Sequence, residues 1–274
     1  MSLAAKLPYD HAYAGGYPGI GSQPLPTDAD AIDYLSRMAT ADGAGVEVGV
    51  ATAVDAFFRY TKASGVFNAI KASCILCGAR TLNGALVPLA GAAPANNNFI
   101  SDDYTRGGAT PGLKGDGSTK RLSQVNTATP LQNSAHQAIY MSENSASAAP
   151  SLATHVAEWP TSGTAGRTQI DTNTSQTFTR CRETTGSSLG STSLGVIGIS
   201  RSDSAGYVRR VGQANATITE ASTGIPEQVV YVFNNSSGSY SDARLAFYSI
   251  GESLDLEALD DAVSTLVTAI GAAV

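Results

Sequence analysis

Few residues of this 274-residue chain are of a type and spacing that could do chemistry: a Cys74-x-x-Cys77 pair, the stretch GLKGDGSTK at 112–120, scattered carboxylates, and one tryptophan, Trp159. A C-x-x-C pair does redox work when a helix N-terminus lowers a thiol pKa, and holds zinc when two more ligands complete a tetrahedron. Cys74 and Cys77 sit instead in the apolar run SCILCG, and His11, His136 and His155 fall at no ligand spacing from them. With Cys181 the cysteines number three, an odd count that argues against a disulfide framework. They are expected to be small core residues, and no metal or cofactor is expected.

GLKGDGSTK resembles a phosphate loop only on the surface. That loop needs Lys directly after its second Gly and a helix beyond it, whereas Ser118 follows Gly117 in a β context. Asp116-Gly117 is the dipeptide of a tight hairpin turn, so two strands should flank it. Glycoside cleavage needs two carboxylates about 5–10 Å apart, at i and i+2 on a strand or on neighbouring strands. No candidate strand shows such a pair, there is no serine nucleophile elbow, and Asp102-Asp103, Asp242 and the acids of the last helix read as loop or solvated positions. The chain is therefore read as a non-enzyme. Trp159 precedes Pro160 in a stretch over 142–166 that reads as a long surface loop. It either stacks on a sugar or pins its own loop to the core, and it is the candidate glycan contact.

Charged residues make up 15% of the chain and the net charge is −6. A typical globular domain has about 25% charged residues, so this surface must rely on Ser, Thr, Asn, Gln and Gly, which suits many short strands and loops. There is no run of Lys or Arg beyond pairs such as Arg209-Arg210, so no nucleic-acid partner is expected. No apolar stretch approaches the roughly 18–20 residues of a membrane span, and MSLAAKLPYDHAYAGG lacks the apolar core of a secretory signal. Reduced thiols fit synthesis in a cytoplasm.

The elements that must position these residues follow from periodicity. GGYPGIGSQPLPTD, rich in Gly and Pro, is an arm that either stays disordered or lies along a partner. Thr27 with Asp30 resembles a capping box before a helix over 28–40. A second helix, from near Gly49, carries Val50, Val54, Phe57, Phe58 and Thr61 on one face, and Gly65 ends it. From CILCG onward the pattern is β, in the runs HQAIYMS, QTFTRCRE, LGVIGISRS, GYVRRVG, NATITEA, QVVYVFN and RLAFYSI. A final helix is capped by Asp255. Leu256, Leu259, Val263, Leu266 and Ile270 recur along it at alternating spacings of three and four, the seam by which helices of several chains associate. The same stripe also suits a helix folded back on its own sandwich, and both arrangements can coexist. The chain divides into an arm and short helix (1–45), a helix plus β-sandwich (46–252) and a C-terminal helix (253–274).

AVDAFFRYTKASGVFNAIKASCILCGARTL, GLKGDGSTKRLSQVNT and ARLAFYSIGESLDLEALDDAVSTLVTAI together resemble the concanavalin A-like (laminin G-like) modules of structural proteins from tailed bacteriophages and prophages. The resemblance covers 49–274 and implies a mainly β, jelly-roll sandwich with short N-terminal helices and a C-terminal helix. It implies a virion location after assembly in the host cytoplasm, as a capsid decoration or head fibre, or as part of a tail fibre or baseplate, contacting other capsid or tail proteins; the stripe of the last helix would join protomers into a homo-oligomer. A lectin-like sandwich also implies glycan binding, and the alternative reading is an adhesin for a host surface polysaccharide, with a glycan-cleaving enzyme behind it. The calcium and manganese acids of legume-type lectins have no counterpart here, so no metal is carried over.

Overall fold

The computed structural model describes residues 26–123, 125, 131–148, 152–160, 165–225, 228–235 and 238–274, and at 159–160 and 228–229 it describes the backbone alone. The expected arm lies outside the described residues up to position 25.

Among the described residues four α-helices form: α1 (Ala29–Asp42), α2 (Val48–Ala63), the one-turn α3 (Leu82–Ala85) and α4 (Leu256–Ala273). The cap of α1 is Asp28 rather than Thr27. Its carboxylate accepts the N–H groups of Asp30 and Ala31 at 3.0 and 3.2 Å, and it pairs with Lys62 of α2 at 2.6 Å. Thr27 and Asp28 donate their own N–H groups to Asp55 of α2. One side chain thus starts α1 and ties it to α2. Asp28→Ala should cost about 1–2 kcal/mol and lower the thermal midpoint by a few degrees, followed by circular dichroism. An unchanged midpoint would show that neither contact matters.

The strands form two antiparallel sheets. The first holds β1 (Ile70–Ile75), β2 (Pro88–Ala90), β4 (Tyr104–Thr105), β5 (Gly112–Lys114), β7 (Ala135–Glu143), β12 (Gly195–Arg201), β13 (Tyr207–Val211), β14 (Ala214–Ile218) and β16 (Arg244–Gly251). Its path runs β14-β13-β12-β7-β16-β1-β2, with β4 and β5 attached beside β16. The second holds β3 (Ala95–Asn97), β6 (Arg121–Ser123), β8 (Ala153–Pro160), β9 (Arg167–Thr172), β10 (Thr177–Glu183), β11 (Ser187–Leu189) and β15 (Gln228–Val232). It is ordered β11-β10-β9-β8-β15-β6-β3. The molecule is a mainly β, jelly-roll-type sandwich.

Two apolar layers result. Between the sheets, Cys74, Leu113, Ile139, Ile197, Leu245 and Tyr248 face Leu122, Val156, Ile170, Cys181, Val230 and Val232. On the other side of the first sheet, Ile75, Cys77, Ala138, Val196, Ala246 and Phe247 pack with α1, α2 and α4. The first sheet is therefore covered on both faces, which explains why β16 reads as apolar at successive positions. All three cysteines are free and buried, and burial pushes each thiol up to about 12. Among the described residues no helix is long and apolar enough to cross a membrane, and no group of three or more His, Cys, Asp or Glu could hold a metal ion.

Of the two arrangements the α4 stripe allows, the structure shows the helix folded back on its own sandwich, and the association of several chains stays an expectation. Leu256, Leu259, Val263, Leu266 and Ile270 are each at most 2% exposed inside the protomer, where α4 lies against α2, β12 and β13. Gly198 of β12 permits this approach, because a Cβ there would stand 2.8 Å from Leu256. Arg210 of β13 pairs with Asp260 of α4 at 2.7 Å, both nearly buried. An a/d stripe and a core-facing stripe share one spacing. Buried Ala262 and Val267 widen this one into the latter.

Two further expectations change. Asp116-Gly117 does make a tight turn, with Gly117 at φ 70°, and strands do flank it. They are not a hairpin, because β5 belongs to the first sheet and β6 to the second, so the turn carries the chain between layers. The 142–166 stretch is not all loop: β8 runs over Ala153–Pro160 within it.

Candidate functional site

The helical layer draws its core from the first sheet and the helices, with no residue of the seven-stranded sheet in it. The outer face of that second sheet is where polar and aromatic side chains gather. Alternation along the strands decides this. In β10, Thr177, Thr179 and Cys181 point inward, which turns Phe178 and Arg180 outward; in β9, Thr168 and Ile170 point inward, which turns Arg167, Gln169 and Asp171 outward.

Cross-strand register then lines these residues up. Arg180 lies opposite Gln169, Gln169 opposite Ala157, and Ala157 opposite Tyr231, one row across β10, β9, β8 and β15. The next row holds Phe178, Asp171 and Thr154. Within these rows Arg180 donates to the Gln169 carbonyl at 3.3 Å, and the Gln169 amide donates to Asp171. The Arg180 guanidinium sits 4.8 Å from the centre of the Phe178 ring, and Arg121 sits 5.2 Å from that of Tyr231. Each ring fixes a guanidinium in place, so its N–H groups are preorganised. Phe178, Arg180, Arg167, Tyr231 and Arg121 are half-buried, while Thr154, Ala157, Gln169 and Asp171 are buried.

Asp171 is the distinctive group. Burial raises its pKa to about 7 against the pull of Thr154, Gln169 and Arg180, and one carboxyl oxygen has no hydrogen-bond partner. The strands of this sheet carry two other acids, Glu158 and Glu183, and both face the interior. Glu158 pairs with Arg182 at 2.6 Å, with both side chains at most 3% exposed. Glu183 is buried near Tyr207, and burial raises its pKa. Beside them Arg201, fully buried, donates to the carbonyls of Cys181, Asp203 and Glu220, fixing the ends of β10 and β14 to β12. Asp171 therefore stands on the outer face without a second carboxylate from these strands.

Of the sequence-predicted site residues, Trp159 lies in β8, its backbone opposite Val229, and its side chain is outside the described residues. Of the five α4 residues, Leu259, Val263, Leu266 and Ile270 belong to the helical core, and Leu256 is buried beside Gly198 of β12. The 112–120 stretch holds no anion, because Asp116 itself occupies the nest that a phosphate would need. Its carboxylate accepts the N–H groups of Ser118, Thr119 and Lys120 at 2.8–3.0 Å and the Thr119 hydroxyl at 2.6 Å. Partial burial opposes this, but the four donors hold the carboxyl well below its usual range. A cavity of about 280 Å³ lies in the helical layer, lined by residues that include Tyr140, Leu194, Val267 and Thr268 and by no charged side chain.

Sequence reading missed Asp171, Gln169, Arg180, Arg167, Arg121, Phe178 and Tyr231. A signal existed for two of them, since Phe178 and Arg180 alternate with Thr and Cys in QTFTRCRE.

No protein-family model matches the chain, and no curated protein matches it. Among solved structures it is similar to the binding domain of botulinum neurotoxin serotype D, at 10% identity and TM-score 0.49, over 72% of this chain and 52% of that one. It is similar also to Trypanosoma rangeli sialidase in complex with the inhibitor DANA, at 10% identity and TM-score 0.47, over 79% of this chain and 38% of that one. A Shewanella oneidensis protein of unknown function matches at 10% identity and TM-score 0.35, over 61% of this chain and 79% of that one. The chain thus spans about half the toxin domain and less than half the sialidase. The fold assignment rests on the two sheets themselves.

Proposed function

We propose that this chain is a non-catalytic carbohydrate-binding β-sandwich that holds an acidic glycan on the outer face of its seven-stranded sheet. The observation that carries the reading is the gathering there of Arg121, Arg167 and Arg180 with Phe178, Tyr231, Gln169 and Asp171, in a chain whose net charge is −6. Guanidinium forks bind carboxylates and vicinal hydroxyls in two-point fashion, amides bind hydroxyls, and aromatic edges meet the C–H faces of sugar rings. Asp171, buried beneath this face, is held largely neutral by burial and so adds little repulsion toward an acidic ligand.

The test is a glycan array probed with the whole chain, followed by titration of the strongest binder. Acidic polysaccharides should bind and neutral dextran should not, with affinity falling as salt rises. Arg180→Ala should weaken binding at least tenfold while the circular-dichroism spectrum stays unchanged. A silent array with an intact fold, or binding indifferent to Arg180, overturns the proposal. Release of sugar product from a bound polysaccharide would overturn its non-catalytic part.

The finer reading is that the module is carried on a phage particle, as a capsid decoration, head fibre or tail-fibre component attached through its N-terminal arm, with a host surface polysaccharide as ligand. Its support is the resemblance borne by the helix before β1, the GDGST turn and the closing strand–helix. Mass spectrometry of separated heads and tails tests it, and absence of the chain from both would end it.

A further inference from the structure

We propose that two copies of this chain associate edge to edge through β14, pairing antiparallel about Ala216 to continue the first sheet across a two-fold axis. The surface is independent of the glycan face. Ala214, Asn215, Ala216 and Thr217 are all exposed, so both faces of the strand lie outside the sandwich and its far edge is unpaired among the described residues.

Among the described residues the sheets end in five strands, and four are blunted: β4 is two residues long. β2, β3 and β11 are three residues long, and β2 begins with Pro88. β14 is five residues long, keeps unbroken register with β13, and contains no proline and no charge. Proteins ordinarily protect a free edge with such devices, and a bare one is a template for another strand.

Turn geometry says which backbone groups are free. Gly212 and Gln213, at φ 59° and 66°, make the two-residue turn between Val211 and Ala214. In such a hairpin the closing pair is hydrogen-bonded and bonded pairs then alternate. Ala214, Ala216 and Ile218 thus bond to β13, while the N–H and C=O groups of Asn215 and Thr217 point away from it. A two-fold axis at Ala216 sets Asn215 of one copy opposite Thr217 of the other, and each such pair exchanges both its bonds. A second copy fits this edge better than a strand of another kind because the pattern is its own mirror in register. Like charges do not meet, since Glu220 falls opposite Gly212 of the other copy, and the residues at the axis are small alanines. The contact is small, so association is expected with a dissociation constant on the order of tens of micromolar.

Sedimentation of the whole chain over a concentration series should show a monomer–dimer equilibrium. Thr217→Pro removes an N–H that β13 does not use, and should weaken the dimer at least tenfold with an unchanged circular-dichroism spectrum. Under mild oxidation Ala216→Cys should form an interchain disulfide, because non-bonded antiparallel pairs approach to about 4.5 Å between Cα atoms. Thr217→Cys, facing Asn215, should not. The native cysteines are buried and do not compete. A wild-type chain that stays monomeric into the millimolar range overturns the proposal. So does a dimer that survives Thr217→Pro, or one in which Ala216→Cys fails to cross-link.

Discussion

Asp171→Asn is expected to make the protein more stable at pH 8, by up to about 4 kcal/mol, and to leave its stability near pH 4 almost unchanged. The Asp171 carboxyl titrates at about 7 in the fold because burial disfavours its charge, against an ordinary value of 3.8. Between those values the folded chain holds a proton that the unfolded chain has released. The folded state therefore loses stability as pH rises through the window, and the loss is complete above pH 7. Asparagine keeps the shape and cannot ionise. Two histidines act in the opposite sense. Burial pushes His136 and His155 down to about 4 from 6.5, in each case against one weaker opposing interaction. As pH falls from 6.5 toward 4 the unfolded chain gains protons that the folded chain refuses, and each histidine removes about 3 kcal/mol. In the wild type the two trends overlap and the acid side is shallow. In the Asn variant it should be steep. Urea unfolding at pH 8, 6 and 4 measures this, and parallel profiles for the two proteins would mean that Asp171 is not the buried titrating group described here.

Leu259→Ala should cost about 2–5 kcal/mol in urea unfolding, with no change in the mass of the native species. Leu259 is fully buried between α2 and the first sheet, and the α2–α4 contact is the principal one within the helical layer. Leu259→Asp places a charge there without a partner and should leave no folded protein to isolate. A seam between chains would behave otherwise, giving a folded monomer in place of an oligomer. A near-neutral Leu259→Ala, or a drop in mass without loss of stability, would favour the seam between chains.

The legible parts of this fold were those in which side-chain pattern and backbone state agree. β7, β10, β12, β13, β15 and β16 were read from alternation or apolar runs. The α2 face, with Val50, Val54, Phe57, Phe58 and Thr61, is buried as its spacing requires, and Asp255 caps α4 by accepting the N–H groups of Glu257 and Ala258. β8 and β9 were not read, because Thr154, His155, Glu158, Thr168, Gln169 and Asp171 look like loop residues until their partners are known. His155 shows why. It is buried between the hydroxyls of Ser241 and Thr172, and Ser241 lies 86 positions away. A polar residue satisfied by so distant a neighbour leaves no periodic trace. The candidate site sits on those same strands, so it was the least legible part. The GDG turn was read correctly as local geometry, but a turn between paired strands and a turn between layers need the same dipeptide.

The α-helices lie against only one side of the sandwich. The apolar groups that hold α1, α2 and α4 in place are remote from Arg180 and its neighbours, so the outward side chains of the seven-stranded sheet can be exchanged with little penalty to folding. Such a body separates durability from surface chemistry: one flank keeps the architecture fixed while the other is open to redesign.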